Sequence, residues 1–176
     1  MEAMMLDNSN KKLMVPTRAA GEAILRVFAP RMGKRYTNGR NHDRGAGQHR
    51  DVSMLSPYLR RRLVLEQDAV ATAVLEHGAE GAEKFIQEVI WRGYFKGWME
   101  RRPVIWDQYR EGVTRDLMAL ARDRDLRRRV EAAEAYQTGL DYFDNWAEEL
   151  VETGYLHNHA RMWFASIWIF SLLMNS

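Results

Sequence analysis

Apolar residues recur at the three- and four-residue spacing of α-helices along most of the chain, whereas the two-residue alternation of β-strands is nearly absent. This pattern predicts an all-α, multi-helical bundle of six or seven helices. The predicted helices cover residues 17–29, 56–77, 79–101, 103–122, 123–135, 141–154 and 157–174. We expect a single helical domain over residues 17–176, preceded by an extended or disordered segment at residues 1–16.

Local signals indicate where these elements begin and end. Ser56 is predicted to cap a helix that starts at Pro57, because serine accepts backbone N–H bonds and proline has no N–H to satisfy. Residues 32–52 contain four glycines and are predicted to form a long polar loop, which in a compact domain is either functional or disordered. The helix at residues 79–101 is apolar on nearly every side, which is typical of a helix in the middle of a bundle.

The net charge is only +2, but the two signs are segregated along the sequence. Residues 31–62 contain nine Lys or Arg against two Asp, whereas residues 131–153 contain seven acids and neither Lys nor Arg. Such a basic segment either binds the phosphates of a nucleic acid or nucleotide, or is a solvated loop beside a charged helix face. Charge alone does not separate these interpretations.

Cysteine is absent from the 176 residues. This excludes disulfides, cysteine-ligated zinc, iron–sulfur clusters and cysteine nucleophiles within the sequence, and it fits a reducing, cytoplasmic location. The first residues lack the pattern of a secretory signal. The longest uncharged stretch, residues 162–176, is shorter than the roughly 20 residues of a spanning helix, so we expect no membrane insertion.

Two groups of polar residues occur within otherwise apolar helices. The first lies at positions i, i+3, i+4 and i+7 of one helix face and consists of Glu88, Trp91, Arg92 and Phe95. It indicates either a polar ligand or a surface ion pair beside a core tryptophan. The second group, on the last helix, consists of Asn158, Arg161 and Met162. Arg161 needs an anion there, from another carboxylate or from a ligand phosphate.

Two histidines, His157 and His159, flank Asn158. Residues two positions apart on a helix do not face each other, and no clustered carboxylates complete a ligand set. We therefore predict no metal site.

Four segments resemble motifs of the DNA photolyase/cryptochrome family, in the same order and at similar separations. Residues 53–59, Ser-Met-Leu-Ser-Pro-Tyr-Leu, resemble the family's phosphate-binding Ser-Arg-Leu-Ser-Pro-Tyr-Leu, and residues 88–92, Glu-Val-Ile-Trp-Arg, resemble Glu-Leu-Ile-Trp-Arg. Thr138-Gly139 with Asp144 is similar to Thr-Gly-Tyr-Pro-x-x-Asp, and residues 153–162 resemble Thr-Gly-Trp-Met-His-Asn-Arg-x-Arg-Met. The resemblance covers about residues 30–170 and implies that family's helical FAD-binding domain.

By this resemblance the candidate site residues divide into three sets. The cofactor-binding set, for FAD, is Tyr36, Ser53, Met54, Leu55, Ser56, Phe85, Arg92 and Arg161. The substrate set, which would hydrogen-bond to and stack on a flipped-out pyrimidine dimer, is Glu88, Trp91, Asn158 and Met162. The set that would contact the phosphates of damaged DNA is Arg60, Arg61 and His159.

The sequence also departs from the family pattern. Gly93 replaces an acid, Asp141 replaces a proline, and His159 replaces an arginine that contacts substrate phosphate in the family. Measured against the family, the chain is expected to lack the N-terminal antenna domain and the C-terminal part of the helical domain. The apolar residues 162–174 would then need cover from a second copy or a partner chain.

Three functions are compatible with these residues. The first is light-driven repair of pyrimidine dimers in DNA, with electron transfer from reduced FAD. The second is a cryptochrome-like flavin photoreceptor or binding module without repair. The third is a truncated, cofactor-free half-domain that needs a partner chain.

Overall fold

The computed structural model describes the backbone of residues 14–173 and the side chains of residues 14–171. This part of the chain contains helices and no strand, which confirms the all-α prediction. Its nine α-helices are α1 (Arg18–Phe28), α2 (Lys34–Gly39), α3 (Ser56–Arg60), α4 (Glu66–Gly81), α5 (Glu83–Glu100), α6 (Pro103–Arg122), α7 (Arg124–Glu134), α8 (Asp141–Thr153) and α9 (Asn158–Ser166). A 3₁₀ turn (Ala29–Arg31) follows α1, and a π-helical segment (Ile167–Leu173) follows α9.

The chain divides into two compact units. The N-terminal unit is Pro16–Arg127, and the C-terminal unit is Arg128–Ser176 together with Met1–Val15. The single domain expected over residues 17–176 stays a prediction. The extended segment expected at residues 1–16 lies, except for its last three residues, outside the described part of the chain.

The predicted helix at residues 56–77 is wrong in one respect, because it is interrupted after α3. Arg62 adopts a left-handed backbone conformation with φ of 55°, and the Leu63 N–H donates to the Tyr58 carbonyl instead of continuing the helix. Ser56 also does not act as the predicted cap. It is the first helical residue, and the capping position belongs to Leu55, which makes no side-chain capping bond.

The predicted loop at residues 32–52 is likewise only partly correct, because residues 34–39 form α2. Tyr36 is buried in this short helix, and its ring packs edge-on against Phe28 at 6.2 Å and Phe85 at 5.3 Å between centroids. Burial of an aromatic ring stabilises a local conformation that propensity alone does not favour. The irregular part of the segment therefore begins at Arg40.

The expectation that residues 79–101 lie in the middle of a bundle is wrong. Only Phe85 and Val89 of α5 are buried, whereas Trp91, Tyr94 and Phe95 each expose half of their surface or more. Gly78, with φ of 72°, breaks the helical run before α5 at the predicted position, and α5 itself begins at Glu83. An apolar pattern shows which side chains favour burial, but it does not show whether another element covers them.

The core of the N-terminal unit depends on close approach at two glycines. A Cβ on Gly21 would lie 2.7 Å from a methyl carbon of Val64 and 2.8 Å from the Tyr58 ring, so α1 packs directly on the segment around α3. A Cβ on Gly33 would lie 2.8 Å from Nδ1 of His77, whose Nε2 is hydrogen-bonded to the Ala29 carbonyl at 2.8 Å. A larger residue at either position would require the side chains of Val64, Tyr58 or His77 to shift.

The C-terminal unit is built around Phe143, which is fully buried on α8. Phe164 stacks on it with 4.6 Å between ring centroids, and Trp168 lies 5.9 Å away. As predicted, α8 ends at Gly154, whose φ of 68° is the left-handed conformation that glycine adopts without strain.

The last helix was expected to be continuous over residues 157–174, but α9 ends at Ser166 and a π-helical segment follows. Phe164 and Trp168 flank this junction, and both rings pack on Phe143. This packing holds the backbone on both sides of the change from α-helix to π-helix. The predicted exposure of this apolar region is confirmed in the described residues, where Met162, Trp163, Ile169 and Phe170 are all exposed. Among residues 14–173, no helix combines the length and the apolar character that a bilayer crossing requires.

Candidate functional site

Glu88 and Arg92 of α5 pair with residues of other segments rather than with each other. The Glu88 carboxylate accepts a hydrogen bond from Nη1 of Arg40, the residue that follows α2, at 2.5 Å. Nε of Arg92 lies 3.4 Å from the carboxylate of Glu66, in the first turn of α4. The sequence left two alternatives for these residues, a polar ligand or an ion pair with each other. In the structure each of them instead pairs with a side chain that is distant in the sequence.

Trp91 lies on the exposed side of α5 and belongs to an aromatic cluster with Tyr94 and Phe95. The ring centroids of Trp91 lie 5.3 Å from those of Tyr94 and 5.7 Å from those of Phe95. With half of its surface accessible, the indole can receive a planar ligand, which a core tryptophan could not do. An indole face next to the Glu88 carboxylate is suited to a base that both stacks and donates hydrogen bonds.

Phe85 and Tyr36, in contrast, are packing residues. Phe85 exposes 3% of its surface, and its ring packs against the rings of both Tyr36 and Phe28. These rings fasten α2 to α5 and present little surface to a ligand. Their predicted contact with a cofactor stays a prediction.

The basic loop that follows α2, residues 40–52, is held by a buried carboxylate, that of Asp51. Nε of Arg44 donates to one of its oxygens at 2.6 Å, and Nε of Arg35 lies 3.7 Å from the other. The hydrogen bond from Arg44 and the nearby positive charges lower the pKa of Asp51, against the opposing effect of burial. A Cβ on Gly39 would lie 2.7 Å from Cγ of Asp51, so the loop packs directly on the end of α2.

Residues 53–56 form a tight turn into α3. Met54 has a φ of 53°, and Oγ of Ser53 accepts the Leu55 N–H at 3.3 Å. Leu55 is buried, Ser53 and Met54 are half-buried, and Ser56 is exposed. Of the four residues predicted to bind a phosphate, Leu55 is therefore the one with its surface covered.

The predicted DNA-phosphate residues of the N-terminal unit are accessible. Arg60 and Arg61 are exposed at the end of α3, and Arg62 follows in the left-handed turn. Three adjacent guanidinium groups on an exposed turn provide a local positive potential that a polyanion can approach.

In the C-terminal unit the polar residues at the start of α9 are held locally. His157 is buried and caps the helix, since its Nδ1 accepts the His159 N–H at 3.3 Å. Nη2 of Arg161 donates to the Leu156 carbonyl at 3.1 Å, and its predicted anion partner stays a prediction. Asn158 and Met162 are exposed and His159 is half-buried, so Asn158 and Met162 present accessible surface.

The turn before α8 is organised by Asp144, as its position in the motif suggests. Its carboxylate accepts the Thr138 and Gly139 N–H groups at 3.1 and 3.2 Å and the Thr138 hydroxyl at 2.7 Å. This network gives Asp144 a structural role. Within the described residues no group of three or more His, Asp or Glu is arranged to hold a metal ion.

Each unit therefore brings together its own part of the predicted site. Glu88, Trp91 and Arg92 share the α5 helix, with Tyr36 and Phe85 packed beneath them in the N-terminal unit. Sequence reasoning missed Arg40, Glu66 and Asp51 as partners, and their only available signal was the excess of charge around the motifs.

The family model described as the FAD binding domain of DNA photolyase matches residues 85–175, which include α5, the Thr138–Asp144 turn and α9. No curated protein and no solved structure matches the chain.

Proposed function

Because the chain belongs to the family of DNA photolyase FAD-binding domains, we propose that it binds FAD. The match over residues 85–175 is the observation that carries this proposal. It agrees with the motif resemblance of residues 88–92 and 153–162, which fall inside the matched region.

The donor groups of the basic loop and of the turn into α3 are chemically suited to the pyrophosphate of FAD. Ser53 and Ser56 offer hydroxyl groups, Met54 lies at a left-handed turn, and Arg50 is exposed on the same loop. Guanidinium and hydroxyl groups are the donors that bind phosphate oxygens most often. Asp51 pairs with Arg35 and Arg44 and so restrains the loop beside these donors. Such restraint lowers the entropy lost when a ligand binds.

When bound, FAD supplies light-driven electron transfer, which side chains do not provide. The residues of the chain bind and orient the ligands. We propose that Trp91 stacks on a base and that Glu88 accepts its hydrogen bonds, and that the exposed Arg60 and Arg61 contact DNA phosphates. For the C-terminal unit, the resemblance alone supports the proposal that Asn158 and Met162 contact substrate and that His159 contacts a DNA phosphate.

The substrate proposed for this arrangement is DNA that contains pyrimidine dimers. A damaged base pair costs less to unstack than an intact one, which favours a site that takes up an extruded base. The half-exposed indole of Trp91 beside the Glu88 carboxylate supports this proposal.

A second candidate function is supported by the exposed apolar surface of the C-terminal unit. An apolar groove of about 490 Å³ lies in that unit and is lined by residues such as Leu150, Phe164, Trp168 and Ile169. Uncovered apolar surface of this kind is typical of a contact with another polypeptide. The alternative is therefore a half-domain that acts only with a second copy or a partner chain.

FAD binding is tested by titrating the purified chain with FAD and recording flavin absorption and fluorescence quenching after gel filtration. We expect flavin to co-elute with the protein, and Ser53→Ala combined with Arg50→Gln to weaken binding about tenfold. The matched control is Arg26→Gln, on the exposed side of α1, which should leave the affinity unchanged. A chain that elutes without flavin at saturating FAD would contradict the proposal.

Repair is tested separately, with an ultraviolet-irradiated oligothymidylate, reduced FAD and blue light, by chromatographic quantification of dimers. We expect dimer loss in the wild type, and no loss in Trp91→Ala although that variant still binds FAD. Flavin binding without dimer loss in the wild type would favour the photoreceptor alternative. Absence of flavin in a chain that sediments as a dimer would favour the half-domain.

A further inference from the structure

Helix α6 is the longest of the described helices, and in the described part of the chain none of its residues is buried. One face of it carries an apolar stripe, the α6 stripe, which consists of Trp106, Tyr109, Val113, Leu117 and Leu120. We propose that the α6 stripe is a dimer interface, on which the same helix of a second copy of the chain docks in the antiparallel direction. This inference depends on neither FAD binding nor DNA binding.

The stripe has the spacing of a helix face that packs on another helix. Its successive members are three, four, four and three residues apart, so they lie along one side of α6. Trp106, Tyr109 and Leu117 each expose more than half of their surface, and Val113 exposes 40%. Most helices in proteins are stabilised by the packing of such a face, whereas this face is open to solvent.

The helix and its rings are ordered in the single chain. Pro103 begins α6, and the guanidinium group of Arg127 lies at its other end, where Nη2 donates to the Ala121 carbonyl at 3.0 Å. The rings of Trp106 and Tyr109 stack with 5.5 Å between their centroids and an interplanar angle of 23°. Because these side chains already hold each other, covering them costs little conformational entropy.

The order of residues along the stripe indicates a second copy as the occupant. Val113 is the middle member, and the spacings before it are repeated in reverse after it. Two aromatic rings precede Val113, and two leucines follow it at the same distances. An antiparallel second copy therefore places the rings of each chain on the leucines of the other, about a twofold axis at Val113. Such a contact uses the same surface of both copies.

Charged residues at the margins of the stripe favour the antiparallel direction over the parallel one. Arg110 lies three residues before Val113, and Asp116 lies three residues after it. In an antiparallel pair Arg110 is level with Asp116 of the second copy, whereas a parallel pair places like charges at the same level. The N–H of Trp106 and the O–H of Tyr109 are donors on one half of the stripe, and the Asp116 carboxylate is an acceptor on the other half. Antiparallel helix dipoles also attract each other.

The first test is sedimentation velocity of the full chain over concentrations from about 1 to about 100 μM. A single pair of helices is smaller than a standard interface, in which each partner buries about 800 Å². We therefore expect a reversible dimer with a dissociation constant in the micromolar range. A wild type that stays monomeric over the whole series would overturn the inference.

Two variants locate the contact on α6. Val113→Arg places two like charges at the twofold axis and should weaken the dimer at least about tenfold. The matched control, Gln108→Arg, adds the same charge on the opposite side of the helix and should leave the dissociation constant unchanged. Both positions are exposed, so the variants should fold, and circular dichroism checks their helix content. Equal dissociation constants for the two variants would contradict the α6 interface.

The absence of cysteine from the sequence permits a test of direction. Asp107 and Ala121 are exposed, and in an antiparallel pair each lies near the other residue of the second copy. Two copies of the same residue are then about 20 Å apart along the helix axis. We expect a short bis-maleimide to join Asp107→Cys to Ala121→Cys in an equal mixture. If either variant alone is joined to itself as efficiently as the mixture, the antiparallel arrangement is wrong.

A different surface or a different ligand would give other results. The apolar groove of the C-terminal unit is a second candidate for contact between copies, so Ile169→Arg is measured in parallel. A dimer that is lost in Ile169→Arg and kept in Val113→Arg would overturn the inference and support the half-domain alternative. Exposed rings beside an arginine also suit single-stranded nucleic acid. A monomer that binds an undamaged oligothymidylate, and loses this binding in Trp106→Ala, would overturn the inference in favour of that ligand.

Discussion

The polar residues of α5 and those at the start of α9 are held in different ways. On α5, Glu88 and Arg92 pair with Arg40 and Glu66, which lie 48 and 26 positions away in the sequence. At α9, Arg161 bonds to a carbonyl five positions away. Glu88 and Arg92 therefore depend on the packing of their unit for their partners, whereas Arg161 finds its partner in the adjacent backbone.

The largest expected effect comes from removing the ring that fastens α2 to α5. Phe85→Ala should destabilise the protein by about 3–5 kcal/mol, because it deletes a fully buried aromatic side chain. Phe95→Ala, on the exposed side of the same helix, should cost less than about 1 kcal/mol. Urea unfolding followed by circular dichroism measures both, and equal effects would show that α5 is not held by this packing.

A smaller effect is expected at the anchor of the basic loop. Asp51→Asn should cost about 2 kcal/mol at neutral pH, since it weakens charge-assisted bonds to a buried group. Because the pKa of Asp51 is lowered in the folded protein, its stabilising contribution is present above the unfolded value of about 4. It is lost as the pH falls from there through the lower folded value.

Unfolding measurements between about pH 3 and about pH 7, a range that includes the unfolded pKa of Asp51, test this direction of the pH dependence. The wild type should lose stability toward the acid end more steeply than Asp51→Asn. Parallel profiles for the two proteins would contradict the salt-bridged role of Asp51.

In the C-terminal unit, the effect to compare with that of Asp51 comes from the local hydrogen-bond network of Asp144. Asp144→Ala should cost about 1–2 kcal/mol, because three donors from Thr138 and Gly139 lose their acceptor. Glu148→Ala, exposed on the same helix, serves as the control and should change the free energy of unfolding by less than about 0.5 kcal/mol. Thermal or urea unfolding distinguishes the two.

The smallest effect is expected for the ion pair between Glu66 and Arg92, which is compared with the bond from Arg161 to a backbone carbonyl. Glu66→Gln should cost about 0.5 kcal/mol at low salt and less at high salt, because its pair with Arg92 is partly exposed and screened. Arg161→Gln removes a bond to a neutral carbonyl, and its cost should depend little on salt. The same salt dependence for both variants would mean that the two parts of the site are not held differently.

Several features of the fold could be read from short stretches of sequence. Gly154 ends α8 and Gly78 breaks the helical run before α5, because each adopts a positive φ that other residues rarely take. The Thr138–Asp144 turn follows from side chains that reach backbone groups within six positions. The match over residues 85–175 likewise agrees with motifs already visible in the sequence.

Other features could not be predicted because they depend on distant partners. Residues 34–39 form a helix whose Tyr36 ring is buried by α1 and α5, and no local signal indicates this. The apolar pattern of residues 79–101 predicted a covered helix, but only Phe85 and Val89 are buried. Hydrophobicity measures a preference for burial and carries no information about which surface is available.

The sequence alone determined the helical class, the main helix ends, the segregation of charge and the family to which the chain belongs. The helical class and the helix ends depend on backbone conformations and on hydrogen bonds between residues a few positions apart, which short motifs encode. The segregation of charge and the family motifs are read directly from the order of the residues. Only the tertiary structure decided that Glu88 pairs with Arg40, that Arg92 pairs with Glu66 and that Trp91 is exposed. Those facts depend on which helices pack together, and packing brings together side chains that no short motif contains.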